Sequence, residues 1–158
     1  MKSIDFNLIK EGFVLPELKV KPLTRHTLAL FCGASCDHNP IHVDFDYAQD
    51  AGLNDVIGHG MLSMAYVGRL ITNWVPQSSI REIKSRFTAM TYIGDSIICR
   101  GTVKEKLYQK NEIVLKLELT AETKKNRTII SEALLFQSYN EYKSVSYTHL
   151  TLPTKRIV

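Results

Sequence analysis

The sequence predicts an α+β domain in which an antiparallel sheet wraps around one long central helix. Three observations lead there. Residues 61–75 (MLSMAYVGRLITNWV) are apolar nearly all the way round a helical projection, with small residues at Ser63, Ala65 and Gly68, which predicts a helix buried on most sides. Four stretches between about Ser79 and Tyr139 alternate with the two-residue period of strands. One more extended stretch precedes the helix, and 158 residues suffice for one domain with one core.

Taken in order, residues 13–22 (FVLPELKVKP) contain Pro16 and Pro22; proline lacks an N–H, so this stretch suits a sheet edge. Thr24 is the expected N-cap of a helix through RHTLALFCGAS, whose Leu28, Phe31 and Cys32 share a face, with Gly33 weakening its end. Asn39-Pro40 cannot continue a helix, because Pro40 disfavours the α region at Asn39. A short helix from about Asp46 to Ala51 follows, with Asp44 as cap and Gly52 at the position after its end. Pro76 stops the long helix. The strands SIREIKSRFTAM, DSIICRGTVKEKL, EIVLKLELTAET and RTIISEALLFQSY are separated by Gly94-Asp95, by Gln109 to Asn111 and by Lys124 to Asn126. Such short connections predict a meander of all four. From Val145 the chain reads VSYTHLTLPTKRIV and breaks the pattern, so residues 1–143 are the expected domain and 144–158 a non-native or disordered tail.

Composition excludes several function classes. Hydrophobic residues make up 44% and charged residues 23%, ordinary usage for a globular protein and unlike disordered or collagenous chains. No apolar run reaches the roughly 20 residues of a membrane span, and Asp5 and Glu11 interrupt any signal-peptide core. The formal charge of +4 includes Lys155 and Arg156 of the tail; without them 18 basic residues face 16 acidic ones, too little for a nucleic-acid surface. Cys32, Cys36 and Cys99 are an odd set with no disulfide framework, which fits the cytoplasm.

The chemistry concentrates between Cys36 and Met64, in CDHNPIHVDFDYAQDAGLNDVIGHGMLSM. Asp37 and His42 lie five positions apart across Asn39-Pro40, polar side chains held in a shaped loop. Residues 31–64 resemble the signature of the MaoC-like dehydratases, also called R-specific enoyl-thioester hydratases, which have the hot-dog fold. The family pattern joins Gly-Asp-x-Asn-Pro-Ile/Leu-His-x-Asp to a His-Gly-Met at the start of the central helix. Here these are Asp37, Asn39, Pro40, Ile41, His42 and Asp44, then His59, Gly60 and Met61. The similarity extends along residues 10–140, through Arg86-Phe87-Thr88-Ala89 and Gly94-Asp95, and Leu23-Thr24-Arg25 resembles the small single-domain 3-hydroxyacyl-carrier-protein dehydratase subunits. Two positions depart from the pattern. Cys36 replaces the glycine before the aspartate, a strained choice if that site needs positive φ. Met90 replaces a proline, which reads as a scaffold change.

The resemblance implies reversible hydration of trans-2-enoyl thioesters to (R)-3-hydroxyacyl thioesters, on coenzyme A or acyl carrier protein, in fatty-acid or polyhydroxyalkanoate-type metabolism. Such an addition needs a base for water, an acid for the α-carbon and donors for the developing enolate oxygen. Asp37 and His42 are the catalytic candidates, with the water held between them. Gly60, at a helix N-terminus and without a Cβ, can donate to the oxygen. Asn39, His59 and Met61 are candidate substrate-binding residues. No cofactor, metal, nucleic acid or membrane is implied; the expected partner is a second copy or a related hot-dog subunit. Met61, Met64, Tyr66 and Leu70 read as core, while the resemblance places an acyl tunnel beside this helix.

Blander readings stand beside these. Asp37 alone suits a turn or cap, Asn39 an Asx turn, and Asp44 and Asp46 a helix start. His38 reads as exposed. Arg81, Lys84 and Arg86 suit a solvated strand face better than phosphate contacts. Cys32, Cys36, His38 and His42 have metal-ligand types, but structural zinc takes paired short clusters across a longer loop. The alternative functions are a subunit of a hetero-oligomeric dehydratase and a hot-dog thioesterase or acyl-binding protein.

Overall fold

A computed structural model describes residues 4–138; the expected boundary at 143 and the tail 144–158 lie outside them. Five antiparallel strands form one sheet: β1 (Leu18–Lys19), β2 (Ile80–Phe87), β3 (Ile98–Gln109), β4 (Glu112–Glu122) and β5 (Arg127–Ser138). Three helices accompany it: α1 (Arg25–Ser35), α2 (Phe45–Asp50) and α3 (Gly60–Trp74). The sheet curls around α3, the hot-dog arrangement.

Local chemistry explains the helix ends. Thr24 caps α1 by accepting the Thr27 N–H at 3.1 Å, and Asp44 caps α2 through the Tyr47 N–H at 3.1 Å. Beyond α2, Gly52 takes φ +82°; its N–H reaches the Gln49 carbonyl at 2.8 Å and the Leu53 N–H the Ala48 carbonyl at 2.9 Å, the double bond of a Schellman stop. The extended stretch before α1 is thinner than expected. The regular ladder with β3 is confined to Leu18–Lys19 and a bridge from Val14 to Thr102; the Gly12 and Leu15 N–H groups also donate to the Val103 and Gly101 carbonyls, while Pro16 has no N–H to offer.

The expected meander holds for β3, β4 and β5 and fails for β2. The sheet order is β1-β3-β4-β5-β2, so β2 pairs with β5 at the far edge. Residues 88–97 are a crossover and not a turn. Their backbone is held by other segments: the Gly58 N–H donates to the Thr91 carbonyl at 2.8 Å, the Gly94 N–H to the Leu23 carbonyl at 2.8 Å, and the Leu23 N–H to the Asp95 carbonyl at 2.9 Å. These bonds carry the chain across the N-terminal end of α3.

The core lies between α3 and the inner face of the sheet. Val67, Leu70 and Ile71 of α3 meet Leu115, Leu117 and Leu119 of β4, all essentially buried, each contributing on the order of 2 kcal/mol. Gly101 permits this approach: a Cβ there would meet Leu119 at 2.7 Å and Leu15 at 3.2 Å. The helix is less enclosed than its composition predicts. Met61, Ala65, Arg69 and Asn73 form an exposed row along it, because the sheet curls past only one flank. Among the described residues no helix is long and apolar enough to cross a membrane.

Candidate active site

The catalytic candidates are delivered by two chain reversals. At the end of α1, Cys36 turns the backbone into the left-handed region, φ 58° and ψ 18°, and places Asp37 just outside the helix. The Ser35 hydroxyl accepts the Asp37 N–H at 3.2 Å, and Asp37 Oδ1 accepts the Asn39 N–H at 3.4 Å. Asn39 then starts a 3₁₀ turn, Pro40–His42, by accepting the Ile41 N–H at 3.1 Å. Its side-chain oxygen is committed to that turn, so Asn39 shapes the loop.

His42 is carried inward, 9% exposed. Its Nδ1 lies 2.8 Å from the Ile57 carbonyl, which can only accept, so Nδ1 bears the proton and Nε2 presents a lone pair. That Nε2 faces Asp37 Oδ2 at 3.9 Å. The separation exceeds a hydrogen bond, yet one oxygen atom can sit about 2.8 Å from both.

His59 caps the site from behind. It is fully buried, stacks on His42 with ring centroids 3.8 Å apart, and meets Phe31 edge-on at 5.0 Å. Its Nε2–H donates to the Asp37 carbonyl at 3.3 Å, leaving a buried Nδ1 with no hydrogen-bond partner among the described residues. Burial, and next the neighbouring His42, hold its pKa below the usual histidine value, so it serves as a neutral support. Asp37, His42 and His59 are also the group that could offer metal-ligand atoms among the described residues, within 4.8 Å of one another. Two rings stacked at 25° with centroids 3.8 Å apart keep their in-plane lone pairs in two nearly parallel layers, a poor arrangement for converging on one ion. The Cys32, Cys36, His38 and His42 set considered from the sequence is not what the fold gathers.

Beside His42 opens a cavity of about 380 Å³, walled by Ile57, Gly58, Gly60, Ser63, Phe87 and Thr128 and rimmed by residues 88–91. Gly60 begins α3, where N–H groups of the first turn have no helical partner. A Cβ at Gly60 would lie 3.2 Å from the Phe87 ring, so glycine lets Phe87 close over the helix start. Of the expected substrate residues, Gly60 lines this cavity and His59 stands behind it. Met61 does not: it is 53% exposed on the outer flank of α3, one residue and about 100° round the helix from Gly60. Met90, expected as scaffold, stands on the cavity rim.

His38 is exposed, as its place before the turn implies. Arg81 binds Glu112 with two contacts of 2.8 Å and Lys84 lies 3.0 Å from Glu82, pairs of the outer strand face. Sequence reasoning passed over Ser63, buried and facing the cavity, reading it only as a small residue. Its signal is spacing: it lies one turn after Gly60 in an otherwise apolar helix. The Ile57 carbonyl, which sets the His42 tautomer, carries no side-chain signal.

Residues 12–125 match a family model described as MaoC like domain. The chain is 30% identical over 117 residues to the (R)-specific enoyl-CoA hydratase of Rhodospirillum rubrum, covering 73% of this chain and 80% of that protein. It is 27% identical over 123 residues to the mitochondrial 3-hydroxyacyl-[acyl-carrier-protein] dehydratase of Arabidopsis thaliana, covering 78% and 73%. Among solved structures, the unliganded R-hydratase PhaJ1 from Pseudomonas aeruginosa superposes with a TM-score of 0.73 at 24% identity, over 99% of this chain and 97% of that one.

Proposed function

We propose, from the premise that this chain belongs to the MaoC-like domain family, that it hydrates trans-2-enoyl thioesters reversibly to (R)-3-hydroxyacyl thioesters. The observation that carries this reading is the pairing of His42 Nε2 with Asp37 Oδ2 at 3.9 Å, with the tautomer set by Ile57. Both atoms are acceptors. A water between them gives one hydrogen to each, and its free lone pair points away from the pair, toward the cavity. One of the two groups takes a proton as the oxygen bonds to the β-carbon. Negative charge moves to the thioester oxygen, where the Gly60 N–H at the start of α3 receives it. The α-carbon then takes the proton back, and dehydration is the same path reversed. His59 holds the Asp37 backbone and the face of His42, which keeps the pair aligned.

The thioester handle is coenzyme A or acyl carrier protein. The three cysteines are free thiols, which supports a reducing, cytoplasmic setting. The edge of β2, which has no second strand partner among the described residues, and the exposed Phe87 at its end support assembly with a second hot-dog unit, a copy of this chain or a related subunit.

The reading is tested by loss of crotonyl-CoA absorbance with the full chain. Asp37→Asn and His42→Ala are each expected to lower the rate at least about a hundredfold, the usual scale of general acid–base catalysis. Both variants retaining parental activity would sink the assignment.

A further inference from the structure

The connection between β4 and β5, residues 123–126, stands at the same end of the sheet as the rim of the catalytic cavity. Thr88, on that rim, ties the two together: its N–H donates to the Thr128 carbonyl at 2.9 Å and its hydroxyl to the Arg127 carbonyl at 2.7 Å. The connection borders a concave space of about 350 Å³, lined by Glu122, Thr123, Lys124, Lys125, Asn126 and Arg127. Its backbone is fixed from within. The Thr123 N–H donates to the Asn126 carbonyl at 2.8 Å, and the Thr123 hydroxyl accepts the Asn126 N–H at 3.2 Å and the Lys125 N–H at 3.3 Å.

Three cations and one carboxylate line this space, and the carboxylate is already committed. Glu122 accepts from Arg127 at 2.9 Å and from Arg100 at 2.9 Å, so it lies between two guanidinium groups. Lys124 and Lys125 are exposed and form no ion pair among the described residues, whereas Lys84, Lys104 and Lys116 on the strands each meet a glutamate. A braced turn with surplus positive charge in a concave setting draws anions that carry several oxygens.

We infer that this turn receives the phosphate groups of a coenzyme A thioester, with Lys124 and Lys125 as the side chains that pair with them. The inference rests on the hydratase reading above and chooses between its two handles. Coenzyme A carries a diphosphate and a 3′-phosphate on one small nucleotide, which suits a concave space with more than one unpaired cation. The arm of a carrier protein brings a single phosphodiester. Reach agrees with this choice. From Thr128 to Lys125 is three residues, at most about 10 Å of extended chain, and the pantetheine arm with its two amide groups is at least that long.

The test compares crotonyl-CoA, crotonyl-pantetheine and a crotonyl-carrier-protein thioester as substrates of the full chain and of its Lys124→Ala/Lys125→Ala double variant. Pantetheine keeps the thioester and both amides but lacks every phosphate. The double variant is expected to lower the CoA-to-pantetheine ratio of kcat/KM by about fivefold or more, through KM, the scale of two exposed ion pairs. Added sodium chloride should lower the same ratio in the parent. An unchanged ratio in the variant would overturn the inference. So would a loss confined to the carrier-protein thioester, which would make the turn a protein-docking surface. Calorimetry with coenzyme A itself separates the two claims. A parent inactive on every thioester that still binds coenzyme A through the two lysines would end the hydratase reading and keep the phosphate site.

Discussion

Cys36 shows how one side chain bears on the site through the backbone. Its φ of 58° is a conformation in which an L-residue is disfavoured by about 1–2 kcal/mol. Because it ends α1 and aims Asp37, the strain is held in place by the site's own architecture. Cys36→Gly is expected to raise stability by about 0.5–1 kcal/mol, the relieved strain less the extra freedom of glycine in the unfolded chain. The urea midpoint measures it; a lower midpoint would mean that the thiol makes a stabilising contact outweighing the strain. Cys99 behaves differently. Cys99 is fully buried and its thiol is pushed up to about 12 by desolvation, so it packs as a small apolar group.

At the scale of elements, the site is held together by the crossover from β2 to β3. Gly58 lies against it so closely that a Cβ would run into Thr91 Oγ1 and come within 3.1 Å of Leu23. The same backbone donates to the Thr91 carbonyl at 2.8 Å. Gly58→Ala is therefore expected to cost about 1–3 kcal/mol by overpacking, with part returned when Thr91→Ala is added. Thermal unfolding of the two variants gives the comparison; a Gly58→Ala protein as stable as the parent would show that this contact does not constrain the rim. The Ile57 carbonyl lies one residue away and orients His42, so the same strain is transmitted to catalysis.

At the scale of the molecule, the strand order leaves the eight-residue β2 at an edge, with seven of its residues paired to β5 and none to another strand among the described residues. Such an edge attracts another strand, and Phe87, at the end of β2, also covers the helix start. In solution the chain is expected to sediment at about twice its 18.0 kDa mass. A particle of single-chain mass would rule out self-pairing and turn the search toward a related subunit.

Much of this was legible in the sequence because it depends on local chemistry. Thr24, Asp44 and Gly52 announce helix ends through groups that act within a few residues. The strands show their period, and the spacing of Asp37, Asn39, Pro40 and His42 is the spacing of a single folded loop. What lay beyond the sequence depends on contacts between distant segments. The place of β2 beside β5 is set by a crossover whose anchors, Leu23 and Gly58, lie 30 or more residues away in the chain. The lone pair on His42 is set by a backbone carbonyl, which every residue possesses. Met61 and Met64, alike in composition, part company only when the sheet curls past one flank of α3 and not the other. Local propensity determined the elements and the motif; packing between them decided which atoms face the reaction.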